Sequence, residues 1–234
     1  QRDPDQPEAR SNLAELALAQ GKGKQALALL SGVRKKSPKD GEVVVLVGQA
    51  QLAARKLDDA YDTLLSALKL DDGHPVALLE LGRIAIRDAE YPLAVKRLKE
   101  ALKAMKKRRL PKYRWAAAFA ALGHAFLAQR DTGRAMTNLQ DAIDHDPKSA
   151  EPQYRMGVTY DTLDRPQRAV AYYQKAIAND ASYAAAYKRL GMTYVKLNEN
   201  AKAIAQLQKY LEVAPKARDA GTIKRKIRKL KKAG

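Results

Sequence analysis

The chain has 234 residues, with 44 Lys and Arg against 26 Asp and Glu for a net charge of +18, and no cysteine. Without cysteine there is neither a disulfide framework nor any thiolate chemistry. Ala, Leu, Lys, Gln and Arg are abundant while Trp occurs once and Phe twice, a balance that loses little side-chain entropy in helices.

In chain order, a large apolar residue followed by a small one recurs six times: Leu13-Ala14, Val47-Gly48, Leu81-Gly82, Leu122-Gly123, Met156-Gly157 and Leu190-Gly191. The intervals are 34, 34, 41, 34 and 34 residues. A fixed period of this size marks an array of one unit in which each copy packs only on its neighbours. With the pair set at places 7 and 8 of each unit, place 20 is always alanine (Ala26, Ala60, Ala94, Ala135, Ala169, Ala203). Place 24 is always large: Leu30, Leu64, Leu98, Leu139, Tyr173 and Leu207. Places 4, 7, 8 and 11 share one helix face, as do 20, 24 and 27, and a polar, helix-breaking step such as Gly21-Lys22-Gly23 or Leu197-Asn198-Glu199 separates them. Each unit therefore reads as a helical hairpin.

At these residues the chain resembles the tetratricopeptide repeat family, whose pattern is W-x2-L-G-x2-Y, then A-x3-F, then P over 34 residues. Tyr187, Leu190, Gly191, Tyr194, Ala203, Leu207 and Pro215 carry the fullest match, and Met156, Gly157, Tyr160, Ala169 and Tyr173 the one before it. Arg10 replaces the first aromatic and Ala17, Gln51 and Ala85 replace the tyrosine in the first three units, which are degenerate. The resemblance implies an all-α, right-handed α-solenoid. A linker at 1–6 precedes repeats at 7–40, 41–74, 75–108, 116–149, 150–183 and 184–217. The seven extra residues of the long interval form an extended helix or a loop at 106–115, with Pro111 suited to the first turn of the next helix. Ile223, Ile227 and Leu230 give residues 218–234 a single apolar stripe, as expected of a basic capping helix.

Residues 106–114 hold six cations and no acid, and residues 218–234 a net seven charges, so 13 of the 18 come from 26 residues. Lys106, Lys107, Arg108, Arg109, Lys112 and Arg114 form one cluster, and Lys224, Arg225 and Arg228 belong to the other. Such patches attract anions without selectivity. Nothing beside them reads bases, since Tyr113 and Trp115 fall at helical packing positions, so nucleic acid is disfavoured as a partner.

No enzyme is predicted. His74, His124 and His145 stand in different units without partners at ligand spacing, so no metal or cofactor site is expected. Asp144-His145-Asp146 falls at a turn between units, and Gly21-Lys22-Gly23-Lys24 lacks both P-loop spacing and a preceding strand. The longest weakly polar stretch, 115–128, is shorter than the roughly 18 residues of a membrane-spanning helix. Gln1 is not a methionine, which leaves room for a removed signal, a lipidated cysteine or an upstream domain and leaves cytoplasm or periplasm open.

Function then falls to a surface. In tetratricopeptide proteins places 2, 5, 9 and 12 line a groove that holds a partner's peptide or helix. Here those places supply Leu79, Arg83 and Ile86, then Ala117, Ala120, His124 and Leu127, then Tyr154 and Val158, then Lys188 and Met192. Alanines leave room for a ligand backbone, Tyr154 and Met192 offer adaptable apolar contact, and Arg83 and Lys188 orient acidic groups. The carboxylate clamp of chaperone-binding members is not assembled, because Lys188 and Arg189 lack the partnering asparagines. The resemblance points to a protein-binding scaffold of a bacterial secretion, pilus or motility assembly. An electrostatic adaptor and a self-assembling scaffold are the alternatives.

Overall fold

The computed structural model describes residues 6–232. Apart from Gln6, the linker predicted at 1–6 lies outside them, as do positions 233 and 234 of the capping segment. Among the described residues the chain is helical throughout. Two compact units divide at Pro111. The first holds α1 (Pro7–Ala19), α2 (Gly23–Lys36), α3 (Gly41–Ala53), α4 (Leu57–Leu70), α5 (Pro75–Arg87) and α6 (Tyr91–Lys107). The second opens with a 3-10 helix, Lys112–Arg114, and continues through α7 (Ala116–Ala128), α8 (Thr132–His145), α9 (Ala150–Thr162) and α10 (Pro166–Asn179). It ends with α11 (Ala184–Lys196), α12 (Asn200–Val213) and α13 (Ala220–Lys232).

Each hairpin turns in the same way. After α1, Gly21 (φ 70°) donates its N–H to the Leu18 carbonyl at 2.9 Å and Lys22 donates to Ala17 at 2.8 Å. This pair of bonds is the Schellman motif, which satisfies the last carbonyls of a helix and needs one left-handed residue. Arg55, Ala89, Arg130, Asp164 and Asn198 occupy the equivalent place with φ between 52° and 63°. Asn and Asp tolerate that conformation, whereas Arg and Ala carry a steric cost.

The pair that sets the period explains the packing. A Cβ on Gly82, Gly123 or Gly191 would lie 2.6–2.8 Å from Cγ of Leu98, Leu139 or Leu207, so the glycine lets the opposing large residue sit directly on the helix backbone. The place-20 alanines are fully buried. Leu81, Leu122, Met156 and Leu190 are at most 2% exposed, whereas Leu13 in α1 is 45% exposed.

The insertion takes a form between the two predicted. α6 runs three residues beyond the 14 of α4 because Ala104 and Met105 still bury their side chains; it then closes on Arg109 (φ 53°) in another Schellman turn. Pro111 does not open the next helix as predicted. The 3-10 helix follows it, and α7 starts at Ala116 with Trp115 at its N-cap.

Candidate partner-binding surface

Within each unit the first helices of successive hairpins touch: α1 with α3 and α3 with α5, then α7 with α9 and α9 with α11. Second helices make no comparable contact with one another. The closer-set helices line the inner side of each unit.

In the first unit parts of that inner side are closed by the chain itself. The predicted groove positions Leu79 and Ile86 are 6% and 7% exposed, and Val45 nearby on α3 is 2% exposed, so these side chains pack between hairpins and offer little surface. Arg83 remains half-exposed, with Nη1 3.4 Å from Oε1 of Glu80. Its charge is thus already partnered.

The second unit is more open. Ala120 is buried at 3%, but Ala117, His124, Leu127, Tyr154 and Val158 are partly exposed and Met192 is 38% exposed. Tyr154 lies between two rings, 5.8 Å from Tyr173 and 5.2 Å from Tyr183. Burial, and then the nearby Arg155 guanidinium, push the His124 imidazole down to about 4 against the opposing pull of Glu151. The ring is therefore neutral at physiological pH. Glu151 and Arg155 pair at 2.9 Å. Lys188 does not project freely as predicted: its Nζ lies 2.6 Å from Asp219, which also accepts the Tyr210 hydroxyl at 2.5 Å. What remains accessible is an apolar strip flanked by the internal ion pairs Glu151–Arg155 and Lys188–Asp219.

Two tetratricopeptide repeat models match this sequence, one over residues 1–50 and 162–227 and the other over 120–184. The chain belongs to the tetratricopeptide repeat family. No curated protein matches it. Among solved structures, the APC/C hetero-tetramer Cut9–Hcn1 superposes on this tetratricopeptide protein with a TM-score of 0.83 at 16% identity, over 98% of this chain and 44% of that one. This chain thus spans less than half of that chain's length. PilF of Pseudomonas aeruginosa gives 0.71 at 15% identity over 94% and 97% of the two chains. YrrB, described as a protein of this family with an unusual peptide-binding site, gives 0.54 at 19% over 84% and 97%. These likenesses establish the fold, an α-solenoid of tetratricopeptide hairpins. Such repeats serve as protein-interaction scaffolds.

Several side chains in this tetratricopeptide array do work that the repeat pattern does not announce. The Asp161 carboxylate accepts the Tyr173 hydroxyl at 2.8 Å and the Thr193 hydroxyl at 3.1 Å, and lies 3.2 Å from Lys196 Nζ, joining α9, α10 and α11. The signal was Tyr173 at a place otherwise held by leucine, since a buried hydroxyl needs an acceptor. His74 caps α5 through Nδ1, 3.4 Å from the Ala77 N–H donor, with Nε2 3.1 Å from Glu42. His145 packs against Trp115 and Phe119, ring centroids 5.9 and 5.3 Å away. Of the basic residues, Lys106, Lys107, Arg109, Lys112, Arg114, Lys224, Arg225 and Arg228 are exposed, and Arg108 pairs with Asp71. Among the described residues no helix is long and apolar enough to cross a membrane.

Proposed function

We propose that the protein is a non-enzymatic scaffold that docks an apolar helix or extended peptide of a partner protein on the inner side of its second unit. One observation carries the reading: the strip formed by Ala117, His124, Leu127, Tyr154, Val158 and Met192 is partly exposed and uncharged, while Arg155 and Lys188 beside it are paired with Glu151 and Asp219. A partner therefore gains by covering apolar surface, at about 25 cal/mol per Å², and gains little from charge. Small Ala117 leaves space for a ligand backbone, and flexible Met192 adapts to its side chains. The likeness to PilF and to peptide-binding YrrB supports a place in a bacterial multiprotein assembly of secretion, pilus or motility type by fold analogy.

The test is Leu127→Glu with Met192→Glu, which puts two carboxylates into the strip without disturbing Tyr154 or Lys188. Affinity capture from native lysate, read by mass spectrometry, should retain a protein on the wild-type chain and lose it on the variant at unchanged helicity. A partner held equally by both would remove the assignment.

A further inference from the structure

The outer face of α13 presents a second recognition chemistry, independent of the inner strip. Ile223, Ile227 and Leu230 are buried at 5–8% exposure in the core they share with Leu207 and Tyr210 of α12, which fixes how α13 is rotated. Lys224, Arg228 and Lys232 then form one exposed row at i, i+4 and i+8, and Arg225 and Lys229 the row beside it. Like charges four apart on a helix repel. The chain does nothing to relieve this. Among the described residues no carboxylate lies within ion-pair distance of the five, and the one acid of the segment, Asp219, is engaged by Lys188 and Tyr210.

We propose that this face binds an anionic lipid surface. α13 is about 20 Å long at 1.5 Å per residue, and two parallel rows on a straight helix meet a flat sheet of charge along their whole length. Its apolar stripe is already used in the core, so the helix lies on the headgroups without inserting, and the attachment is electrostatic and reversible. Long lysine stems reach phosphate and carboxylate groups at differing depths. The two rows carry no aromatic side chain on which a nucleic-acid base would stack and no Asn or Gln to read adenine.

Vesicle sedimentation with the full chain tests the proposal, using phosphatidylcholine vesicles with and without about 30% phosphatidylserine at about 0.1 M salt. The chain should pellet with the anionic vesicles alone and be released when salt is raised severalfold. With roughly 1 kcal/mol per cation near such a surface, K224Q/R228Q/K232Q should lower partitioning about 150-fold, and R225Q/K229Q about 30-fold, at unchanged helicity. The charge-conserving K224R/K232R should bind as wild type. Absence of vesicle binding at the lower salt, including the case in which the chain shifts a short DNA duplex but leaves vesicles alone, overturns the proposal. So does equal binding by wild type and K224Q/R228Q/K232Q.

Discussion

Replacing Gly157 by alanine probes the close approach on which each hairpin rests. The new Cβ would stand 2.6 Å from Cε1 and 2.7 Å from Cδ1 of Tyr173, where carbon atoms normally settle at about 3.5–4.0 Å. Ring or helix must therefore shift by roughly an ångström. The ring is fully buried and its hydroxyl is held by Asp161 at 2.8 Å, so neither the core nor the hydrogen bond yields freely. Overpacking of this kind costs about 1–3 kcal/mol, and alanine's better helix propensity returns roughly 1 kcal/mol. Because the buried ring and its hydrogen bond both resist, the overpacking falls in the upper half of that range, about 2–3 kcal/mol, for a net loss of about 1–2 kcal/mol. At Gly191 the obstacle is Leu207, with Cγ 2.8 Å away; an aliphatic side chain with no hydrogen bond to hold can rotate, so the loss should be about half as large. The first hairpin accommodates Ala14 at this place with Leu30 opposite, both fully buried. Gly221 in α13 meets nothing within 4 Å and should gain about 0.5–1 kcal/mol as alanine. Urea unfolding followed by circular dichroism should rank Gly221→Ala above wild type, then Gly191→Ala, then Gly157→Ala. A Gly157→Ala chain as stable as wild type would refute the reasoning.

Ala89 is exposed and left-handed at φ 60°, so Ala89→Gly removes about 1–2 kcal/mol of strain against roughly 0.5–1 kcal/mol of added backbone entropy; a small rise in thermal midpoint is expected, and a fall contradicts the Schellman reading. Asp161→Ala strands the buried Tyr173 hydroxyl and should cost about 2–3 kcal/mol, checked by the same unfolding experiment; a cost under about 0.5 kcal/mol would show that the three-helix junction contributes nothing. His124 gives a pH dependence: above its ordinary value of 6.5 both states are neutral, and between 6.5 and about 4 only the unfolded chain takes up the proton. Stability should therefore fall as pH drops through that window and level off below it, by roughly 1–2 kcal/mol given the partial exposure of the ring. His124→Leu should flatten that part of the profile, and an unchanged slope would assign it to other groups.

The hairpins were legible in the sequence because the contact that defines them is local and steric: a residue with little or no side chain at place 8 admits a large one at place 24, and both recur. The insertion was not legible, because seven residues suit a longer helix and a loop equally well. Burial decided it: Ala104 and Met105 are buried, Lys106 and Lys107 are exposed, and Arg109 turns the chain. Repeat numbering placed the inner stripe but not its accessibility, which depends on neighbouring side chains. Leu79 and Ile86 are covered while Met192 is open. The fate of Lys188 was invisible for another reason. Its partner Asp219 lies beyond the last repeat, where no period predicts a contact.

That ion pair also separates the two surfaces of the second unit. By taking up Asp219, Lys188 loses its reach toward an incoming acidic group and engages the one acidic side chain of residues 218–234. The inner strip is thereby left apolar and the outer helix uncompensated. Salt acts on the two in opposite senses: it screens the cationic rows over a Debye length of about 10 Å at 0.1 M and less above it, while apolar docking is unaffected or strengthened, as with sulfate. If the inner strip and α13 are independent sites, partner capture should survive a rise in salt that strips the chain from anionic vesicles. Parallel loss of both would mean that the inner strip too is held by charge, against its composition.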